Sequence, residues 1–169
     1  MLFNGMFHSG VFAWTGYFFF KNYQLDEQGV GFALLGYGIP GLLLGPLLGK
    51  LADKYGRNRI IPIGILIGAV SAILLSMNYS LAASCIFIVT LSFGFELTHP
   101  LFAAIITTLS PKKGAATGLF AFFLFMGYGF GSLVFSLIVN IGLHKAFRLF
   151  GIVAFVGAFM AAYHFKKER

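Results

Sequence analysis

Gly49-Lys50-Leu51-Ala52-Asp53-Lys54-Tyr55-Gly56-Arg57-Asn58-Arg59 is the stretch that decides the fold. It is short, bracketed by glycine and strongly basic. On each side lies an apolar run long enough to cross a bilayer, so the segment is expected to join two spanning helices in a hairpin at one membrane face. Its four cations, Lys50, Lys54, Arg57 and Arg59, put that face in the cytoplasm, because short basic loops are retained there. One acid, Asp53, sits among them where a helix is expected to meet the loop.

Composition agrees with a lipid setting. Of 169 residues, 59% are apolar and 10% charged, whereas soluble domains carry about 25% charged residues. The net charge of +7 does not point to nucleic acid, since the cations fall in short breaks and at the tail and form no stripe interleaved with aromatics. The 22 Phe residues lie inside apolar runs, where packing and lipid contact are the default. The lone cysteine, Cys85, can form no intrachain disulfide and is read as a small apolar helix residue. Met1 to Phe20 lacks the basic start and small-residue cleavage site of a signal peptide.

Six apolar runs are long enough to span: 2–21, 30–49, 60–77, 81–109, 115–141 and 146–165, forming one bundle over residues 1–169. The breaks hold Lys21 to Gln28, the basic segment, Asn78-Tyr79-Ser80, Ser110-Pro111-Lys112-Lys113-Gly114, Gly142 to Lys145 and the tail from Lys166 to Arg169. On one side of the membrane fall Lys50, Lys54, Arg57, Arg59, Lys112, Lys113, Lys166, Lys167 and Arg169, nine cations; on the other fall Lys21, Lys145 and Arg148, three. That imbalance places both termini in the cytoplasm, and an even number of spans agrees with it. The fourth run, 29 residues from Leu81 to Leu109, would reach roughly 43 Å as a straight helix against a ~30 Å core. The run is expected to tilt, kink or protrude into the cytoplasm, with Pro100 as the kink site.

Glycines recur at helix-packing spacing. Gly41, Gly45 and Gly49 share one face of the second helix, Gly64 and Gly68 one face of the third, and Gly127 and Gly131 one face of the fifth. Small residues so spaced let helix backbones approach closely.

Glu96 is the only acid within the apolar interior. A carboxylate at bilayer depth is costly, so it faces a cavity or a partner, or stays protonated. His99 follows three residues later and is expected on the same helical face. The pair could relay protons or bind a polar substrate; equally, each could be satisfied structurally across helices. No Gly-x-x-x-x-Gly-Lys-Ser/Thr loop is present, so ATP is not expected to drive the protein directly, and no cofactor is implied. Glu96-Leu97-Thr98-His99 supplies two metal ligands without a third, and no serine–histidine pair suits an intramembrane protease, so an enzyme is not expected.

The basic segment resembles the signature loop of the major facilitator superfamily, Gly-x-x-x-Asp-Arg/Lys-x-Gly-Arg-x-Arg, through Gly49, Asp53, Lys54, Gly56, Arg57 and Arg59, with Asn58 at a position usually basic. Members have two six-helix halves around a central pathway, and the resemblance covers one half. Phe93 to Pro100 and Ser110 to Leu119 are similar to the tenth-helix region of bacterial efflux-type members, and no Arg or Lys occurs between Ile60 and Pro111, so the resemblance favours the second half. A start almost inside the first helix fits a lost or separate first half. Gly127-Tyr128-Gly129-Phe130-Gly131-Ser132 is similar to the antiporter glycine motif, with Ser132 where proline is usual.

The resemblance implies secondary transport of a small molecule by alternating access, proton-coupled, in the bacterial inner membrane. The partners it implies are the lipid bilayer, a small-molecule substrate and a second six-helix half, on a separate chain or a second copy. The alternative is a truncated transporter without independent activity. By the same resemblance, Asp53 latches the cytoplasmic end against a helix N-terminus of the other half. The first and fourth helices line the pathway, which makes Asn4, His8, Trp14, Thr15 and Tyr17 candidate substrate contacts beside Glu96 and His99, with Tyr37 and Tyr128 ranked lower. His144 and His164 are expected near the membrane faces, in water.

Overall fold

The computed structural model describes residues 1–167; Glu168 and Arg169, counted above with the tail, lie outside the described residues. Every described element is helical. Helix α1 covers Leu2–Tyr23 and ends at Gln24, whose φ of 53° turns the chain. Asp26 then caps α2, Glu27–Leu35, by accepting a hydrogen bond from the Gly29 amide at 2.8 Å. A single 3-10 turn at Gly36–Gly38 separates α2 from α3, Ile39–Tyr55. Two glycines and the donorless Pro40 weaken the regular helix at this point, and the turn marks the middle of one apolar rod.

The basic segment is not an open loop. Helix α3 continues through Tyr55, and α4, Arg57–Leu75, begins two residues later. Nothing between Leu51 and Tyr55 opposes a helix, so the reversal falls on Gly56 alone. Its φ of 88° is open to glycine at little cost, and its amide closes α3 on the Ala52 carbonyl at 2.9 Å. Asp53 thus belongs to the last turn of α3.

Helix α5, Leu81–Glu96, starts at the cap Ser80, and α6, His99–Leu109, follows after a break at Leu97-Thr98. The expected kink exists but lies before Pro100. The proline ring crowds the carbonyl four residues earlier, that of Glu96, so the helix opens on its N-terminal side. The Thr98 amide and hydroxyl each bond the Phe95 carbonyl at 2.9 Å and take up a freed acceptor. Helix α7, Lys113–Ile138, passes through a 3-10 turn at Val139–Ile141 into Gly142, and α8, Leu143–Lys167, completes the described chain. Boundaries differ from the apolar runs by a few residues, mostly because polar end residues such as Asn22 and Lys54 continue the helices.

Three close helix contacts build the bundle, all made by glycine. On the α1–α7 contact, a Cβ on Gly127 would lie 2.6 Å from the Leu2 carbonyl oxygen, and one on Gly131 would overlap the Met6 carbonyl. Gly64, Gly68 and Gly94 bring α4 onto α5, and Gly151 brings α8 onto α4. Two apolar cores result. Phe18, Phe19, Leu75, Ile88, Phe135 and Phe147 fill one, and Leu48, Ala52, Ile61, Ile65, Leu97 and Leu101 fill the other, beside the basic hairpin. The α3 glycines behave differently. Among the described residues, nothing beyond the adjoining backbone of α3 lies within 4 Å of a Cβ built on Gly45 or Gly49, so the expected packing is absent at these positions. They share an outward face with Leu42, Leu43 and Leu47, all exposed.

Among the described residues, five segments are long and apolar enough to cross a membrane: Glu27–Tyr55, Arg57–Leu75, Leu81–Leu109, Lys113–Ile141 and Leu143–Lys166. Helix α1 has the length, at 22 residues, but carries more polar side chains.

Candidate functional site: an aromatic cleft beside Glu96

The side of the bundle formed by α1, α5, α7 and the Gly36–Gly38 turn holds a cleft of about 260 Å³. Helix α1 contributes His8, Ser9, Phe12 and Ala13, the turn contributes Tyr37, α5 contributes Phe95 and α7 contributes Tyr128. Each wall is tied down. Ser9 donates to the Tyr128 carbonyl at 2.9 Å, joining α1 to α7. Ser92 donates to the Tyr37 carbonyl, holding the turn against α5. Phe12 and Tyr37 lie ring to ring with centroids 4.0 Å apart.

His8 is the unusual member. It is 1% exposed, yet neither ring nitrogen has a hydrogen-bond partner among the described residues. Its ring meets Phe7 and Phe95 with centroids at 4.8 and 4.9 Å, and its Cε1–Nε2 edge faces Gly68 of α4, where a Cβ would lie 3.4 Å from Nε2. Unpaired polar atoms in an apolar setting are costly, and both nitrogens are closed off from the cleft by the surrounding helices.

Glu96 is half-buried at the end of α5, and its carboxylate rests on α3: a Cβ on Gly41 would lie 2.7 Å from Oε1. Gly41 therefore makes room for the acid, which corrects its reading as a helix-packing glycine. Glu96 follows Phe95, a wall of the cleft, but is not itself among the lining residues. His99 does not share its face. The break at Leu97-Thr98 turns His99 toward α7, where it stacks on Phe95 at 5.0 Å and meets Phe120 at 5.5 Å. Phe95 thus separates the two histidines. Among the described residues, no group of three or more His, Cys, Asp and Glu side chains could hold a metal ion.

Two sequence candidates fall elsewhere. Asn4 is 2% exposed and donates to the Thr98 hydroxyl at 3.0 Å, so it bolts α1 to the α5–α6 break and does not reach the cleft. Tyr17 is exposed, with Lys21 Nζ 5.7 Å from its ring, and lies nine residues beyond His8, roughly 13 Å along the helix. Trp14 stacks on Phe135, and Thr15 donates to the Val11 carbonyl of its own helix. Phe12 and Phe95 were not singled out by sequence. Their signal was the i, i+4 pairing of His8 with Phe12 and of Phe95 with His99, hidden among so many phenylalanines.

At the hairpin end, Asp53, Lys54, Gly56, Arg57 and Arg59 surround one open groove of about 680 Å³; Gly49 lies outside it. The opposite end holds a polar lock. Asn22 and His144 share a hydrogen bond at 3.1 Å, the Tyr23 hydroxyl donates to the Tyr79 carbonyl at 2.6 Å, and Arg148 donates to Ser76 at 3.3 Å. His144 is half-buried against Phe18 rather than free in water, because Asn22 on α1 draws it inward. His164 is exposed.

Residues 1–169 match the family model described as Major Facilitator Superfamily. No curated protein matches the chain. The match spans the helices that build the cleft as well as the basic hairpin, and its members are membrane transporters of small molecules, not enzymes. A membrane-embedded helical chain of this pattern, matched along its whole length, belongs to the Major Facilitator Superfamily.

Proposed function

We propose that this chain is one six-helix half of a secondary active transporter that works by alternating access and couples solute movement to protons. The observation that carries the reading is the aromatic cleft, with Glu96 lodged against Gly41 beside it. A carboxylate at such depth is expensive unless it serves a pathway. It can load a proton from one side and release it to the other as the bundle rocks against a second one.

Helix α1 supplies the sixth crossing. Its 22 residues reach about 33 Å. Its polar Asn4, His8 and Thr15 are all buried against other helices, so lipid does not meet them. Six crossings, with the hairpin cations inside, leave both termini in the cytoplasm of a bacterial cell. The absence of Lys and Arg between Ile60 and Pro111 supports the second half of an efflux-type member. The second six-helix half, on a separate chain or a second copy, covers the exposed α3 face. It also gives Asp53, exposed on its groove, a helix N-terminus to latch onto.

The test is solute flux into proteoliposomes under an imposed pH gradient, scanned over a panel of small organic solutes. Glu96→Gln is expected to abolish gradient-driven flux while the protein still inserts; unchanged flux removes Glu96 from the mechanism. The exposed α3 face also favours a second reading, in which this bundle alone is inactive. Native mass spectrometry separates the two: a stable monomer that transports overturns the need for another half.

A further inference from the structure

We infer that a furrow between α4 and α8 holds one acyl chain of an anionic phospholipid, with the lipid phosphate between Arg59 and Lys166 at the furrow's mouth. The inference needs the bilayer and not the transport reading.

The furrow follows from where small side chains fall. The two helices run antiparallel: Gly151 of α8 meets Ala69 and Ile73 of α4, and further along α8 Ala158 lies beside Pro62 and Ile63. At Gly151 the backbones touch. Toward the basic hairpin, Pro62, Ala158 and Ala162 are too small to fill the space between Ile63, Leu66 and Phe159, and a furrow of about 150 Å³ remains. Every lining side chain is apolar. Ile63 and Phe159 are exposed on its rims, so it opens outward from the bundle.

Its length suits one leaflet. Lys166 lies eight residues beyond Ala158, ~12 Å along the helix axis. Half of a ~30 Å hydrocarbon core is ~15 Å. A single chain entering from the hairpin's membrane face fits that depth.

Charge selects the occupant. Arg59 precedes Ile63 by one helical turn, and Lys166 follows Ala162 by one turn, so each continues the face of its own helix that lines the furrow. Both are exposed, and neither α4 nor α8 carries an acidic residue. Two cations above an apolar slot complement a headgroup of net negative charge above its own hydrocarbon. The guanidinium takes phosphate oxygens as a fork and the ammonium as a point charge. A zwitterionic headgroup brings its own ammonium against them. A second copy of the chain, related by an axis along the membrane normal, would set like cations face to face.

The experiment titrates the full chain in mixed micelles with phosphatidylglycerol, phosphatidylcholine or glycerol phosphate and counts bound molecules by native mass spectrometry. One phosphatidylglycerol is expected to be held about tenfold more tightly than phosphatidylcholine, and glycerol phosphate, which has no chain, not measurably. Arg59→Gln combined with Lys166→Gln removes the preference, and Arg59→Lys retains it. Lys54→Gln, a loss of charge on α3 instead, leaves it. Ala162→Phe fills the furrow and lowers retention of both lipids with the two cations in place. All the altered positions are exposed, so unfolding in detergent should match that of the unaltered chain. Equal retention of the two lipids overturns the inference, as does retention indifferent to Ala162→Phe. A loss on Lys54→Gln as large as that of the Arg59 and Lys166 pair would reduce it to diffuse surface charge. Glycerol phosphate bound as tightly as the lipid would make the mouth a free-anion site. A lipid-free dimer that Ala162→Phe splits would give the furrow to a second copy.

Discussion

Gly127 and Gly131 on α7 and Gly45 and Gly49 on α3 have the same spacing and opposite surroundings. The α7 pair lies against the backbone of α1, so close that Gly131 admits no Cβ at all. The α3 pair looks onto nothing within 4 Å, amid exposed leucines. Spacing fixes which residues share a helix face; it does not say whether another helix covers that face. The back of the bundle is closed by its own helices, and the α3 face is left for lipid or for the second half proposed here.

The largest effect belongs to the closed contact. Gly131→Val forces α1 from α7 and is expected to cost about 3 kcal/mol or more, read as unfolding in mixed detergent micelles. Stability close to that of the unaltered chain would mean that the α1–α7 contact is looser than the glycine pattern implies. Asn4→Ala removes the second tie of α1, its bond to Thr98. Membrane hydrogen bonds are weak on average, so the loss is about 1 kcal/mol by the same assay. Gly45→Leu sharpens the contrast: stability of the chain should shift by less than about 0.5 kcal/mol, while flux in the full assembly falls because the added side chain blocks the second half. A Gly45→Leu protein that transports normally would leave the α3 face to lipid. Asp53→Asn is the mildest, with no expected change in unfolding. It should raise thiol labelling of cysteines placed in the cytoplasmic part of the pathway, and unaltered labelling would count against the latch.

Much of this was legible in the residues. The cations of the basic hairpin, the apolar lengths and the excess length of the fourth run all came from composition and spacing. What escaped was set by tertiary contact. A glycine's job depends on what faces it, so the four-residue spacing of Gly41 implies packing where the structure uses it to accommodate Glu96. The three-residue spacing of Glu96 and His99 implies one face only if the helix is unbroken, and the break at Leu97-Thr98 parts them. Asn4 resembles a pathway residue because polar groups in apolar runs suggest function; Thr98, distant in sequence, turns it into a brace. Phe12 and Phe95 had no contrast in a chain with 22 phenylalanines.

Thiol accessibility tests the central claim most directly. With Cys85 replaced by alanine, single cysteines at Tyr37, Tyr128 and Val11 are exposed to a membrane-impermeant methanethiosulfonate. A water-reached cleft predicts rapid modification at the Tyr37 and Tyr128 positions and none at Val11, which is fully buried on another face of α1. Equal protection of all three, or modification of Val11 as fast as the others, would contradict a solute pathway along this side of the bundle.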